Sequence, residues 1–203
     1  MRQFIKSIFL FVFLLVIDNS WSQVEMEITL NNGDIKTGIY KIRDNTLGWP
    51  TKTKVISKKT RDKYGLKEIR SLVMFLGGDA VQYEVIRVKK YFDSSKVELK
   101  LGQVGLKGNH IELFYVSEYI YQGGAVTPIT TISSYHEKYL RKKNDRVAYN
   151  MGYLYGAAQR GIKKRVENFF NDCPELIDKI ENKEIQKKET MEIALFYENN
   201  CGD

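Results

Sequence analysis

Cysteine, proline and histidine are scarce in this chain of 203 residues, which has two, three and two of them. Neither histidine has a second His or Cys three or four positions away, so no zinc-site spacing exists and no metal is expected. His110 follows Gly108-Asn109 and is expected in a turn, while His136 stands beside Glu137; both read as surface side chains. No serine lies in G-x-S-x-G or S-x-x-K, and neither a phosphate-cradling G-x-x-x-x-G-K-S/T nor G-x-G-x-x-G occurs. Asn31-Asn32-Gly33-Asp34 does not match the calcium loop D-x-D/N-x-D/N-G. No catalytic residue and no cofactor are expected from these patterns. Paired carboxylates of the glycosidase type stay open, because acids distant in sequence can meet in space. Past residue 23, no apolar run approaches the roughly 20 residues of a membrane-spanning helix.

Arg2 and Lys6 precede an unbroken apolar run from Ile8 to Ile17, and a polar stretch with small residues follows, ending Ser20-Trp21-Ser22-Gln23. That three-part layout is expected of a secretory signal peptide over residues 1–23, cleaved after Ser22 or Gln23. An apolar run of about 10 residues is too short to span a bilayer; an uncleaved anchor is the competing reading. Export is therefore expected, to the periplasm, the cell surface or the extracellular space. Arg2, Lys6 and Asp18 fall in the leader, so the remainder carries 30 basic and 24 acidic residues, a net charge of +6. The two signs are interspersed, which reads as a solvated surface; export makes nucleic acid a poor partner and membrane contact at most peripheral. With 43% hydrophobic and 12% aromatic residues, the chain has the composition of a folded domain.

Residues 24–153 are expected to be β-rich. VEMEITL and IKTGIYKI flank Asn31-Asn32-Gly33-Asp34, and Asn-Gly between two such runs predicts a hairpin with a type I′ turn. Residues 43–53 read as a loop broken by Gly48 and Pro50, and Gly77-Gly78-Asp79 as a further turn. Short strands at this spacing predict an antiparallel sandwich or small barrel. For residues 133–155 a helix and a hairpin turning at Lys143-Asn144-Asp145 compete, and the tyrosine-rich arms favour the hairpin. Residues 154–203 are expected to be helical. Ala158, Ile162, Val166, Phe169 and Phe170 form one apolar stripe, and Pro174-Glu175 suits a helix start. The fold class expected is therefore α+β, with an antiparallel β-rich domain followed by a C-terminal helical hairpin.

FFNDCPELIDKIENKE and LFYENNC, together with ITLNNGDIKTGIYKI at the front, resemble a family of uncharacterised, signal-peptide-bearing bacterial envelope proteins. Such chains combine a β-rich part of variable sequence with a short helical tail containing Asp-Cys-Pro-Glu-Leu. The likeness covers about a third of the mature chain, at its two ends, and implies address and architecture but no activity.

In an exported protein two cysteines are most simply one disulfide. Antiparallel helices over 174–184 and 188–200 would set Cys173 beside Cys201, and closing that loop would contribute roughly 3.6 kcal/mol. The alternatives are intermolecular pairing and a nucleophilic Cys173 activated at a helix N-terminus. Arg160, Lys163, Lys164 and Arg165 cluster on the polar side of the preceding helix, either as a solvated face or as a site for an anionic membrane. The tyrosines concentrated between 115 and 155 suit either sheet packing or recognition of a glycan or protein. The function expected is a non-enzymatic, exported binding or scaffold module whose partner is another envelope protein or a glycan. The rivals are a carboxylate-dependent hydrolase acting on polysaccharide and a peripheral membrane-binding protein.

Overall fold

The computed structural model describes residues 24–43, 53–122, 131–153, 162–186 and 188–201. The leader read over residues 1–23, most of the 43–53 loop, and the stretch from Leu154 to Gly161 lie outside them. Ten strands run β1 Val24–Leu30, β2 Ile35–Arg43, β3 Lys54–Ser57, β4 Lys63–Gly65, β5 Ile69–Leu76, β6 Asp79–Lys89, β7 Glu98–Lys107, β8 Ile111–Gln122, β9 Thr131–Lys142 and β10 Ala148–Tyr153. Three helices follow: α1 Ile162–Phe169, α2 Pro174–Glu181 and α3 Thr190–Asn200.

All ten strands belong to one sheet, in the order β10-β9-β8-β7-β6-β5-β1-β2-β3-β4. From β5 to β10 each strand pairs antiparallel with the next in sequence. The β10 strand then bridges to β6 in parallel, through Ala148↔Val88 and Tyr149↔Lys89. Strands β6 to β10 thus close a small barrel, and the other half of the sheet extends from it.

The hairpins form where the turn residues stand, although one turn type differs from expectation. In the turn between β1 and β2, residues 31–34, only Gly33 has a positive φ, 91°, and the Leu30 carbonyl accepts from Gly33 N at 3.0 Å. That is an ordinary turn followed by a left-handed glycine, not a type I′ turn. The Asn32 side chain takes the Asp34 N–H at 3.0 Å, so it has a local partner without entering the left-handed region. The two-residue loop with both positions at positive φ falls instead at Gly77 (61°) and Gly78 (98°), between the paired Leu76 and Asp79. The hairpin reading of 133–155 holds over its described part, to Tyr153: Asp145 N donates to Lys142 O at 2.9 Å between β9 and β10.

Alternation on the strands sorts side chains into separate cores. Val24, Met26, Ile28, Tyr40, Val55, Leu72 and Met74 form one, with Tyr83, Val85 and Leu101 against it. Ile86, Val88, Phe114, Val116, Tyr139 and Ala148 form the barrel interior. Neighbouring residues of β6 therefore point into different cores. On the outer face of β8 and β9, Ile111, Leu113 and Leu140 receive the helices through Val166, Phe169, Phe170, Leu176, Ile193 and Tyr197. Phe170 lies 4.8 Å from Phe169 and 5.1 Å from Tyr197, ring centre to ring centre.

Pro174 opens α2 and Glu175 sits in its first turn, as its sequence predicts. The α2–α3 unit is then tied down three ways. Cys173 is bonded to Cys201, with Cα atoms 5.7 Å apart. Asp172 Oδ2 accepts from Lys142 Nζ on β9 at 2.7 Å and from the Tyr197 hydroxyl at 2.8 Å. Glu198 on α3 accepts backbone N–H groups of the β7–β8 turn: Asn109 on Oε1, and His110 and Ile111 on Oε2 at 2.9 and 3.0 Å. Partial burial raises the Glu198 carboxyl, but the three N–H donors outweigh it and hold the group below its ordinary value. Asp172 is likewise lowered, its desolvation outweighed by the bonds from Lys142 and Tyr197. Burial, with the bond to Asp172, pushes the Tyr197 phenol up.

Candidate functional site: a basic basin at the sheet edge

The last strands of the N-terminal half, β2, β3 and β4, expose a face that the core does not use. On β2, Tyr40 and Ile42 turn toward the core, so alternation sends Lys41 and Arg43 the other way. Register then sets Lys41 opposite Ile56, and Ile56 opposite Lys63. One row across three strands carries a cation, a buried isoleucine and a second cation, since Ile56 is only 7% exposed. The β3–β4 turn supplies the rest. Its backbone is closed by Ser57 N to Asp62 O at 2.9 Å and by Lys58 N to Ile39 O at 3.0 Å. Ser57 Oγ accepts from Thr60 N at 3.2 Å, and the Thr60 hydroxyl donates to Asp62 Oδ2 at 2.5 Å. These bonds hold Arg61 at φ 65°, a left-handed conformation that few non-glycine residues adopt.

The result is a cavity of about 330 Å³ in which Lys41, Arg43, Lys58, Arg61 and Lys63 surround Ile56 and Ser57. Every charged residue in that wall is a cation. Asp62 lies next to Arg61 but directs Oδ2 at Thr60. Among the described residues none of the five cations forms an ion pair, in contrast to Lys36, Lys96, Lys107, Arg141, Lys142 and Lys179. Unpaired like charges held around one cavity repel one another. An anion relieves that repulsion, and an arginine fork and a lysine ammonium are the donors suited to oxyanions.

The basin was missed from sequence. Its two parts, the Lys41 and Arg43 pair at strand spacing and the dense SKKTRDK run over 57–63, are visible, but only register joins them.

The residues singled out from sequence fall elsewhere. Cys173 is buried and bonded to Cys201, which removes the thiol that a nucleophile needs. Of the 160–165 cluster, Arg160 lies outside the described residues and Lys163 has no described side chain. Lys164 is exposed, and Arg165 Nη1 donates to the buried Asn150 Oδ1 at 2.8 Å. His110 and His136 are half-buried; the Nδ1 of His136 is 3.0 Å from Ser117 Oγ. Tyr139 lies inside the barrel and Tyr149 stacks on Phe92 at 4.7 Å, so these two serve packing.

Carboxylates do gather inside the barrel, where each is matched. Arg141 Nε donates to Glu112 at 2.6 Å and its Nη2 approaches Glu84 at 3.5 Å, while Lys107 also pairs with Glu84. Glu137 is 1% exposed and accepts from the Tyr139 hydroxyl at 2.5 Å. Its other oxygen, Oε1, has Lys90 Nζ at 3.3 Å without hydrogen-bond alignment, so charge, and not a directed bond, satisfies it.

Fold and basin together define a class: a β-sheet protein with a small barrel at one end, a short helical C-terminal region stapled to it, and a cationic basin at the opposite sheet edge. Comparison with family models, with curated proteins and with solved structures gives no match.

Proposed function

We propose that this protein is an exported, non-enzymatic binding module of the cell envelope, and that the basin between β2, β3 and β4 receives an anionic partner, a glycan rather than a protein. The observation that carries the reading is the set of five cations around one cavity, none of them ion-paired among the described residues. The layout of residues 1–23 supports export, and the resemblance at the two chain ends supports an envelope address. A concave site of this volume, at the lower end of the roughly 300–1,000 Å³ typical of small-ligand pockets, suits a small charged moiety better than a flat protein surface.

Charge reversal in the wall, Lys41→Glu with Lys63→Glu, is expected to weaken capture by immobilised acidic glycan at least about tenfold, roughly a kcal/mol or more for the pair. Binding of the unaltered chain should also fall as salt rises, because the cations are exposed to screening. Equal capture by both chains would refute the assignment of the basin. Turnover of a polysaccharide panel, abolished by Glu112→Gln, would instead favour the hydrolase reading. Vesicle binding abolished by neutralising Arg160, Lys163, Lys164 and Arg165 would favour the peripheral-membrane reading.

A further inference from the structure

We infer that the anionic glycan of the basin is recognised through phosphate, with two phosphate groups close together on a soluble sugar or on a headgroup; this rests on the anion-binding reading above and narrows it. Charge density is the first argument. Five cations ring a cavity of about 330 Å³. A phosphate monoester brings about −1.5 to −2 at neutral pH, on three acceptor oxygens. Two of them supply nearly the whole counter-charge from two centres. Carboxylates carry one charge each, so a match needs four or five of them on separate carbons, in a cavity at the small end of the range.

The donor chemistry agrees. Arg43 and Arg61 offer planar forks that bond two oxygens at once, and the three lysines act as mobile point charges, a mixture that suits tetrahedral oxyanions. Among the described residues that line the wall, none is aromatic. A neutral sugar ring would find no stacking platform there, so recognition falls to charge. Preorganisation is the third argument. The turn holds the Arg61 backbone in a left-handed conformation through Ser57, Thr60 and Asp62, so the root of this side chain is placed at the cavity before a ligand arrives.

The same sheet face carries the exposed Ile35, Ile39 and Phe75, but register puts Glu25 between Ile39 and Phe75. That carboxylate interrupts the apolar plate, which leaves no continuous surface for an acyl chain beside the basin.

The test is isothermal titration of the mature chain, disulfide intact, with inorganic pyrophosphate, orthophosphate and citrate. Pyrophosphate is expected to bind at one site, about tenfold or more tightly than either of the others. Arg61→Gly removes one cation while suiting the backbone conformation, so it should fold normally and bind pyrophosphate about tenfold more weakly. Lys41→Ala with Lys63→Ala should lose about a hundredfold, with an unchanged melting temperature. Citrate binding as tightly as pyrophosphate would overturn the phosphate inference and leave the anion-binding reading standing. Capture of an acidic glycan at the basin without pyrophosphate binding would have the same meaning. Failure of every anion would overturn both. Vesicles bearing a bisphosphorylated lipid separate the sources. Flotation competed by pyrophosphate assigns the phosphates to a headgroup; pyrophosphate binding without flotation assigns them to a soluble ligand.

Discussion

Exchange of both cysteines, Cys173→Ala with Cys201→Ala, is expected to lower the unfolding free energy by about 3–4 kcal/mol, read from the urea midpoint. The bridge joins residues 28 positions apart, so its loss returns considerable freedom to the unfolded chain. The elements it joins are weak alone. The α2 helix has 8 residues and α3 has 11, both under the roughly 12–15 at which isolated helices become even marginal in water. Cys173 is also 2% exposed, within the cluster of Phe170, Leu176 and Tyr197, so the variant leaves a small void there. A loss below about 1 kcal/mol would mean that packing alone seats the helices, and that the staple is incidental.

Glu198→Ala is the second large effect, with an expected loss of about 2–3 kcal/mol. Three backbone N–H groups of the β7–β8 turn converge on this carboxylate. Bonds to a charged group contribute about 1.5–3 kcal/mol each when buried. Glu198 is half-exposed, so water replaces part of what is lost and the sum is well below three full bonds. Glu198→Gln keeps an acceptor and should lose about half as much. Gly108→Ala reaches the same end from the other side, because a Cβ at position 108 would collide with the Glu198 carboxylate and with the Ile111 carbonyl. The two substitutions attack one contact, so Gly108→Ala with Glu198→Ala should cost clearly less than the sum of the singles. Additivity would show that the carboxylate does not dock there.

The pH dependence follows in sign. Glu198 and Asp172 are both lowered by folding, so their contribution is complete above the ordinary carboxylate range and disappears as pH falls through and below about 4. Thermal unfolding should therefore show an acid limb below about pH 4.5. Glu198→Gln with Asp172→Asn should flatten that limb. An unchanged limb would assign acid sensitivity to other groups.

Local chemistry was legible in the sequence, and pairing at a distance was not. Gly77-Gly78, Asn144-Asp145 and Pro174 each announce a backbone event within a few residues, and each event occurs. The disulfide could be read because two short helices bring their distant ends together. The type I′ turn expected at Asn32-Gly33 failed because a side-chain acceptor competed locally with the left-handed conformation. The choice between sandwich and barrel depended on the bridge from Ala148 to Val88, 60 residues back in the chain, which leaves no local signal. Glu198 looked like one of many helix-surface acids, since nothing near it in sequence points to Gly108. The basin needed the register of three strands before its charges could be counted together.

The double use of β6 bears on cooperativity. Tyr83 and Val85 lie against one core while Ile86 and Val88 belong to the other. Opening either half strips one side of this strand and leaves apolar surface in water, so neither half can melt and leave the other intact. A single calorimetric transition is the consequence, and the amide protons of Val85 and Ile86 should exchange with solvent only through global unfolding. A ligand held at the β2–β4 edge would then slow exchange throughout the barrel, although it touches none of the barrel's strands.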